Sequence, residues 1–308
     1  MDQYEHQAFK EIQQWKNPQL NWFETAMRSI SKPVNSIGDK VFDIAILGDV
    51  VKKTMEGLIG LCGDTAHSLV RHDAIFQEFR DDGHAHIQGH TDIFSLPLKD
   101  IDKTVGWLGA KYKGIALAEG TGTGATGLPG LLIDIPALLT MNLRAIGEYA
   151  TYYGFDVRLQ QERLFALNVL AYASSPSDVS KTIALAQLVK ISTDIAKKQT
   201  WKQLENAIFV KIIQEISKTL GIRLTKAKLA QSIPIAGALV GGGFNCYFTM
   251  SVCDAAYYLY RERYLVQKYG LDIIAPTASC PDSYEPEYPE EKEFPEIELL
   301  LLILSVID

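Results

Sequence analysis

Apolar residues return at helical spacing along most of this chain. From Lys40 to Val70, the positions Val41, Ile44, Leu47, Val51, Met55, Leu58 and Leu61 recur in steps of three and four, the pattern of an amphipathic helix. Residues 3–31 read as two short helices parted near Pro18, with Trp22 and Phe23 as aromatic anchors, and Pro33 closes that region. A further helix is expected from Leu98 to Lys113, and others over Gln160–Tyr172 and Ser177–Gln199. Trp201–Leu220 is the plainest case, with Leu204, Ile208, Ile212 and Ile216 spaced by four and Gly221 as the stop. Residues His72 to Asp102 read as the least regular part, because a polar run, DDGHAHIQGHTD, interrupts them.

Two stretches depart from this amphipathic style. The first, Glu119 to Arg163, opens on crowded glycines (Gly120, Gly122, Gly124, Gly127, Gly130), continues as an apolar run, and leaves through Tyr152-Tyr153-Gly154-Phe155-Asp156. The second, Ser232 to Tyr264, echoes it with a Gly/Pro-rich apolar entry, a Thr-Met centre and a Tyr-Tyr exit. Both read as Gly-rich helical hairpins whose small residues let backbones approach closely. No alternating run supplies a sheet, so the fold class expected is all-α, a compact bundle of helices with the two hairpins at its centre. Residues 1–274 form one domain in this reading, with the helices of 1–50 packed on it.

Charge changes the picture at one end. The net charge of −7 is nearly all contributed by residues 275–308, where nine acids face one base among five prolines; the other 274 residues carry 29 bases and 28 acids. That tail has the composition of a linker ending in an apolar run, IELLLLILSVID, too short to span a bilayer. A neutral body without a basic stripe excludes nucleic acid as the main partner. Four unpaired-looking cysteines and a polar start without an apolar h-region point to a reduced, cytoplasmic chain. Leu229–Cys253 runs 25 residues without a formal charge. Pro234, Asn245 and the Gly241–Gly243 run weaken it as a span, and a mean hydropathy of +0.01 is that of a soluble protein.

Candidate chemistry is sparse. Gly122-Thr-Gly-Ala-Thr-Gly127 satisfies GxGxxG, but no parallel sheet accompanies it, so it reads as a packing turn and no cofactor is expected. Asp134, Arg144 and Glu148 fall within about 80° of arc if one helix carries all three, and Arg144 can pair with Glu148 four residues on. Charges in apolar company invite a functional reading. The structural alternative makes Asp134 the cap of a helix starting at Ile135, before Pro136, and Arg144–Glu148 a clamp to Glu119 or Asp254. The candidate polar cluster is therefore Glu119, Asp134, Arg144, Glu148 and Asp254. His84, His86 and His90 are weak metal candidates in what also reads as a solvated loop. Cys246 and Cys253, seven apart, read as small apolar packing groups.

The core AEGTGTGATGLPGLLIDIPALLTMNLRAIGEYATYYGFD, the following ERLFALNVL, and SIPIAGALVGGGFNCYFTMSVCDAAYYLYRERYL resemble the EcsC protein family, over about Val51 to Leu271. The resemblance implies a bacterial, largely helical protein. The family takes its name from a gene neighbour of an ABC-transporter pair linked to protein secretion, and carries no established reaction. The reading favoured is a non-enzymatic, cytoplasmic, membrane-proximal accessory protein, peripheral at the inner membrane, with a membrane surface or membrane protein as partner. Rival readings are a hydrolase-like enzyme using the carboxylate/Arg cluster, without GxSxG, HExxH or Walker signature, and a pore former inserting its hairpins.

Overall fold

A computed structural model describes residues 1–16, 70–123, 127–175 and 237–270, with isolated helical positions between 52 and 56 and between 181 and 192. All of them belong to one unit, Met1–Asn17 with Ile44–Ile274. The helices expected at Lys40–Val70 and Trp201–Leu220, most of Ser177–Gln199 and the acidic tail lie outside the described residues, except for Val70 and the isolated helical positions.

Every described element is helical, and no strand occurs among the described residues. The elements are α1 (Gln3–Lys16), α2 (His72–Asp81), α3 (His90–Ile93), α4 (Leu98–Val105), α5 (Leu108–Thr123), α6 (Gly127–Tyr152), α7 (Gln160–Ala173) and α8 (Gly237–Tyr269). The 33-residue α8 is the axis of the assembly and packs against α5, α6, α7 and α1. Its packing surface includes the fully buried Val252, Ala255, Ala256, Tyr260 and Tyr264. The second apolar stretch is thus one continuous helix from Gly237 onward. None of the described helices is long and apolar enough to cross a membrane.

Three local expectations change. The region His72–Asp102 is more regular than its polar composition suggests, because α2 hides Ile75, Phe76 and Phe79 on one face. The helix expected at Leu98–Lys113 is broken by Gly106, whose φ of +38° ends α4 and lets α5 start in a new direction. Pro136 does not follow a helix start; α6 runs straight through it, so Asp134 is not a cap. Proline inside a helix costs about 3 kcal/mol. Burial of Ile135, Leu138 and Leu139 immediately around it offsets that cost.

At the N-terminus, Asp2 and Glu5 form a reciprocal capping box: the Glu5 amide donates to Asp2 Oδ1 at 2.8 Å and the Asp2 amide to Glu5 Oε2 at 2.9 Å. Ion pairs then tie α1 to α8: Lys16 to Glu262 at 2.6 Å, Glu11 to Arg261 at 2.7 Å, and Glu5 to Lys268 at 2.8 Å. Glu5 is desolvated, which raises its carboxyl, but hydrogen bonds from Lys268 and Tyr269 outweigh this and hold it below 4.5. The Arg261 hydrogen bond lowers Glu11 likewise. A carboxyl lowered in the fold stabilises fully above its unfolded value and loses that contribution as pH falls through the folded one. On acidification α1 should therefore be released from α8 before the core opens. Hydrogen exchange should show α1 amides losing protection below the ordinary carboxylate range while those of α6 and α8 stay protected; simultaneous loss would contradict this.

Candidate functional site

The first helical stretch brings part of the expected cluster together. Arg144 and Glu148 share α6, with Arg144 Nε donating to Glu148 Oε1 at 3.0 Å. A third member comes from α5, where Lys111 Nζ donates to Glu148 Oε2, also at 3.0 Å. The Glu148 side chain is 6% exposed, under two half-exposed cations. Tyr112 and Tyr149 line the same region, their hydroxyls pushed well above the ordinary value by burial and by neighbouring acids. Cys253 is buried here as a free thiol, pushed up to about 12 by burial with help from Asp254 and Glu148, which favours the protonated form. Asp254 is exposed on α8. The side chains of Glu119 and Asp134 lie outside the described residues, although α6 does carry Asp134, Arg144 and Glu148 on one helix.

Two buried arginines of α8 form further charged centres that nothing in local spacing announces. Arg261 meets Asp102 at 2.7 Å and Glu11 at 2.7 Å, and Asp102 also accepts from Tyr4 at 2.8 Å and Tyr153 at 2.6 Å. Burial raises the Asp102 carboxyl against the pull of these partners. Arg263 makes a bidentate pair with Glu162 at 2.5 and 2.7 Å, and its guanidinium lies 4.1 Å from the Phe155 ring centre and 4.3 Å from that of Phe165. The cavity beside it, of about 10 Å³, is lined by Phe165, Leu188, Ser192, Leu259, Glu262, Arg263 and Val266. That is room for a water and not for a metabolite.

The expected histidine trio does not form one group. His84 approaches Asp100 at 3.8 Å, and His86 lies 3.1 Å from the Ser95 hydroxyl. His90 turns the other way, into the core. It opens α3 behind Gly89, where Asp92 accepts from the backbone amides of Gln88 and Gly89 at 2.9 Å each. His90 Nε2 lies 3.1 Å from Nδ1 of His72, the first residue of α2. Its Nδ1 faces Asp156 at 3.9 Å. Thr151 Oγ1 donates to the Gly147 carbonyl at 2.8 Å and so accepts at His72 Nδ1, 3.0 Å away. Burial lowers His90 to about 4, against the opposing pull of Asp156, so its imidazole is neutral at neutral pH. Asp156 is placed by the turn at Gly154, where φ is +87° and a Cβ would meet the His90 carbonyl at 3.0 Å. Arg158 holds the Asp156 carboxylate from outside through Nε and Nη2, both at 2.7 Å. His72 and Asp156 escaped the sequence reading because they stand 18 and 66 positions from His90.

A surface feature completes the inventory. On α5, Leu108, Tyr112 and Ala116 are buried at a spacing of four. Up to Ala118 the helix faces outward through Ala110, Lys111, Lys113, Gly114, Ile115, Leu117 and Ala118. Just before it, Trp107 is 85% exposed. No acid occurs from Trp107 to Ala118.

The EcsC protein family is matched over residues 6–265, which extends well upstream of the resemblance legible in the motifs. The chain is 25% identical over 269 residues to the Bacillus subtilis (strain 168) protein called uncharacterized protein YdbA, covering 85% of this chain and 93% of that one. It is 29% identical over 159 residues to protein EcsC of the same organism, covering 52% of this chain and 61% of that relative. No solved structure matches the chain.

Proposed function

The chain belongs to the EcsC protein family, and from that premise we propose that it is a non-enzymatic accessory protein working at the cytoplasmic surface of the inner membrane. The observation that carries the proposal is the outward face of α5 with Trp107. An indole exposed to this degree costs free energy in water and is suited to the interface between lipid headgroups and acyl chains. Ile115 and Leu117 are exposed with it, and Lys113 on the same helix suits anionic headgroups. The occupant proposed is therefore an anionic bilayer surface, touched and not crossed. A role beside an ABC transporter or in secretion, as the family resemblance implies, would follow from such placement.

The enzymatic rival is disfavoured by the state of its central acid. Both oxygens of Glu148 already accept hydrogen bonds, one from Lys111 and one from Arg144, whereas an acid–base group needs an oxygen turned toward substrate. This arrangement is that of a clamp between α5 and α6.

Flotation of the full chain with phosphatidylcholine vesicles, with and without phosphatidylglycerol, tests the proposal. Binding should require the anionic lipid and weaken with salt. Trp107→Ser should reduce partitioning about tenfold or more, and Lys113→Ser roughly fivefold, the equivalent of about 1 kcal/mol. Neither side chain supports the core, so folding should be unaffected. A protein that ignores vesicles of both compositions, or floats equally well without Trp107, would overturn the assignment. Binding only to native membranes that have kept their proteins would shift the partner to a membrane protein.

A further inference from the structure

The structure assigns a second, buried function to the meeting point of α2, α3 and the turn after α6: we propose that His72, His90 and Asp156 bind a divalent transition-metal ion of the zinc class. One ligand atom from each of the three lies within 4.8 Å of the others. Zinc bound to imidazole at its usual distance sets ligand nitrogens about 3.3 Å apart in a tetrahedron. His72 Nδ1 and His90 Nε2 already stand 3.1 Å apart. No pair in the group is farther apart than 4.8 Å, so bringing the Asp156 carboxylate, now 3.9 Å from His90 Nδ1, to a shared ion asks it to move inward by about 1.5 Å at most. That turns the side chain of a loop residue and releases part of the Arg158 hold on it, without a rearrangement of helices.

Three features make the group more than a chance meeting of polar residues. Both imidazoles are buried, 8% exposed each, and their facing nitrogens stand 3.1 Å apart, shielded from competing water. Two imidazoles and one carboxylate form a borderline donor set, which suits zinc and leaves a fourth position for water. The surroundings also hold the ligands in place. Phe76 sets its ring edge-on to His90 at 5.1 Å. Gly154 permits the close turn against the His90 carbonyl. Asp156, with 21% of its side chain exposed, leaves an entry path from solvent. On binding, the His72 proton moves to the other ring nitrogen, and the metal replaces the hydrogen bond that now joins the two rings.

The test uses the full chain stripped with EDTA and titrated with zinc chloride against a chromophoric chelator. The wild type should take up one zinc per chain and should show the visible absorption of tetrahedral cobalt when cobalt(II) replaces zinc. His90→Gln and Asp156→Asn should each weaken zinc binding by about 100-fold or more. The double variant His84→Gln/His86→Gln, which removes the outward-facing pair, should bind as the wild type does. If His90→Gln proves unfolded by circular dichroism, Asp156→Asn, at the rim, decides alone. A wild type that cannot compete with the chelator, zinc binding retained without Asp156, or binding lost on removal of His84 and His86 would each overturn the assignment.

Discussion

Arg263→Met should destabilise the helical unit by about 3–5 kcal/mol, because it leaves the Glu162 carboxylate buried without its bidentate partner. Both side chains of the pair are only 5% exposed. The guanidinium also fills the space between Phe155 and Phe165, so its loss removes stacking as well as charge. At about 2–4 °C per kcal/mol for a unit of this size, the melting temperature should fall by roughly 6–20 °C. Urea unfolding gives the free energy directly. The diagnostic comparison adds Glu162→Leu to the same chain. If the penalty is the orphaned charge, the double variant should recover most of the loss, since apolar replacement of a whole buried pair is often neutral. A double variant no better than Arg263→Met would mean that the arginine acts through packing alone.

Gly147→Ala should also destabilise, against the ordinary rule for helices. In an open helix this substitution gains about 1 kcal/mol. Here the new methyl would stand 2.6 Å from Val70 Cγ2 and 3.6 Å from Val157 Cγ2. Overpacking of this kind costs about 1–3 kcal/mol and should dominate. Val70→Ala alone should also destabilise by opening a small cavity. Placed together, the two changes fill each other's defect, so the double variant should be more stable than either single one. Additivity of the two losses in a denaturation series would show that Gly147 and Val70 do not share that space.

What could be read from the sequence was whatever depended on near neighbours. The helix expected over Gln160–Tyr172 is present as Gln160–Ala173, although it is buried nearly all round and not on one face. Arg144 and Glu148 were legible as a pair because four residues is one helical turn. Pro136 misled for the opposite reason: a local preference met strong packing on either side, and packing prevailed. The polar letters around α2 concealed Ile75, Phe76 and Phe79 in the same way. Partners drawn from other helices left no trace in spacing. Lys111 joins Glu148 across 37 positions, and Asp102 joins Arg261 across 159. The histidine reading shows the limit most clearly: it found His90, but grouped it with sequence neighbours that point elsewhere.

The dependence of α1 on α8 has a consequence for the living cell, where the chain emerges from the ribosome in order. Lys16 finds Glu262 only 246 residues later. At about 5–20 residues per second, the first helix waits roughly 10–50 s for the surface it docks on. During that interval the apolar faces of Ala8 and Ile12, and those of α5 to α7 that α8 later covers, have no permanent home. Nascent chains of this protein should therefore depend on chaperones until α8 has been made, and stalling translation before Gly237 should yield chains that proteases digest readily.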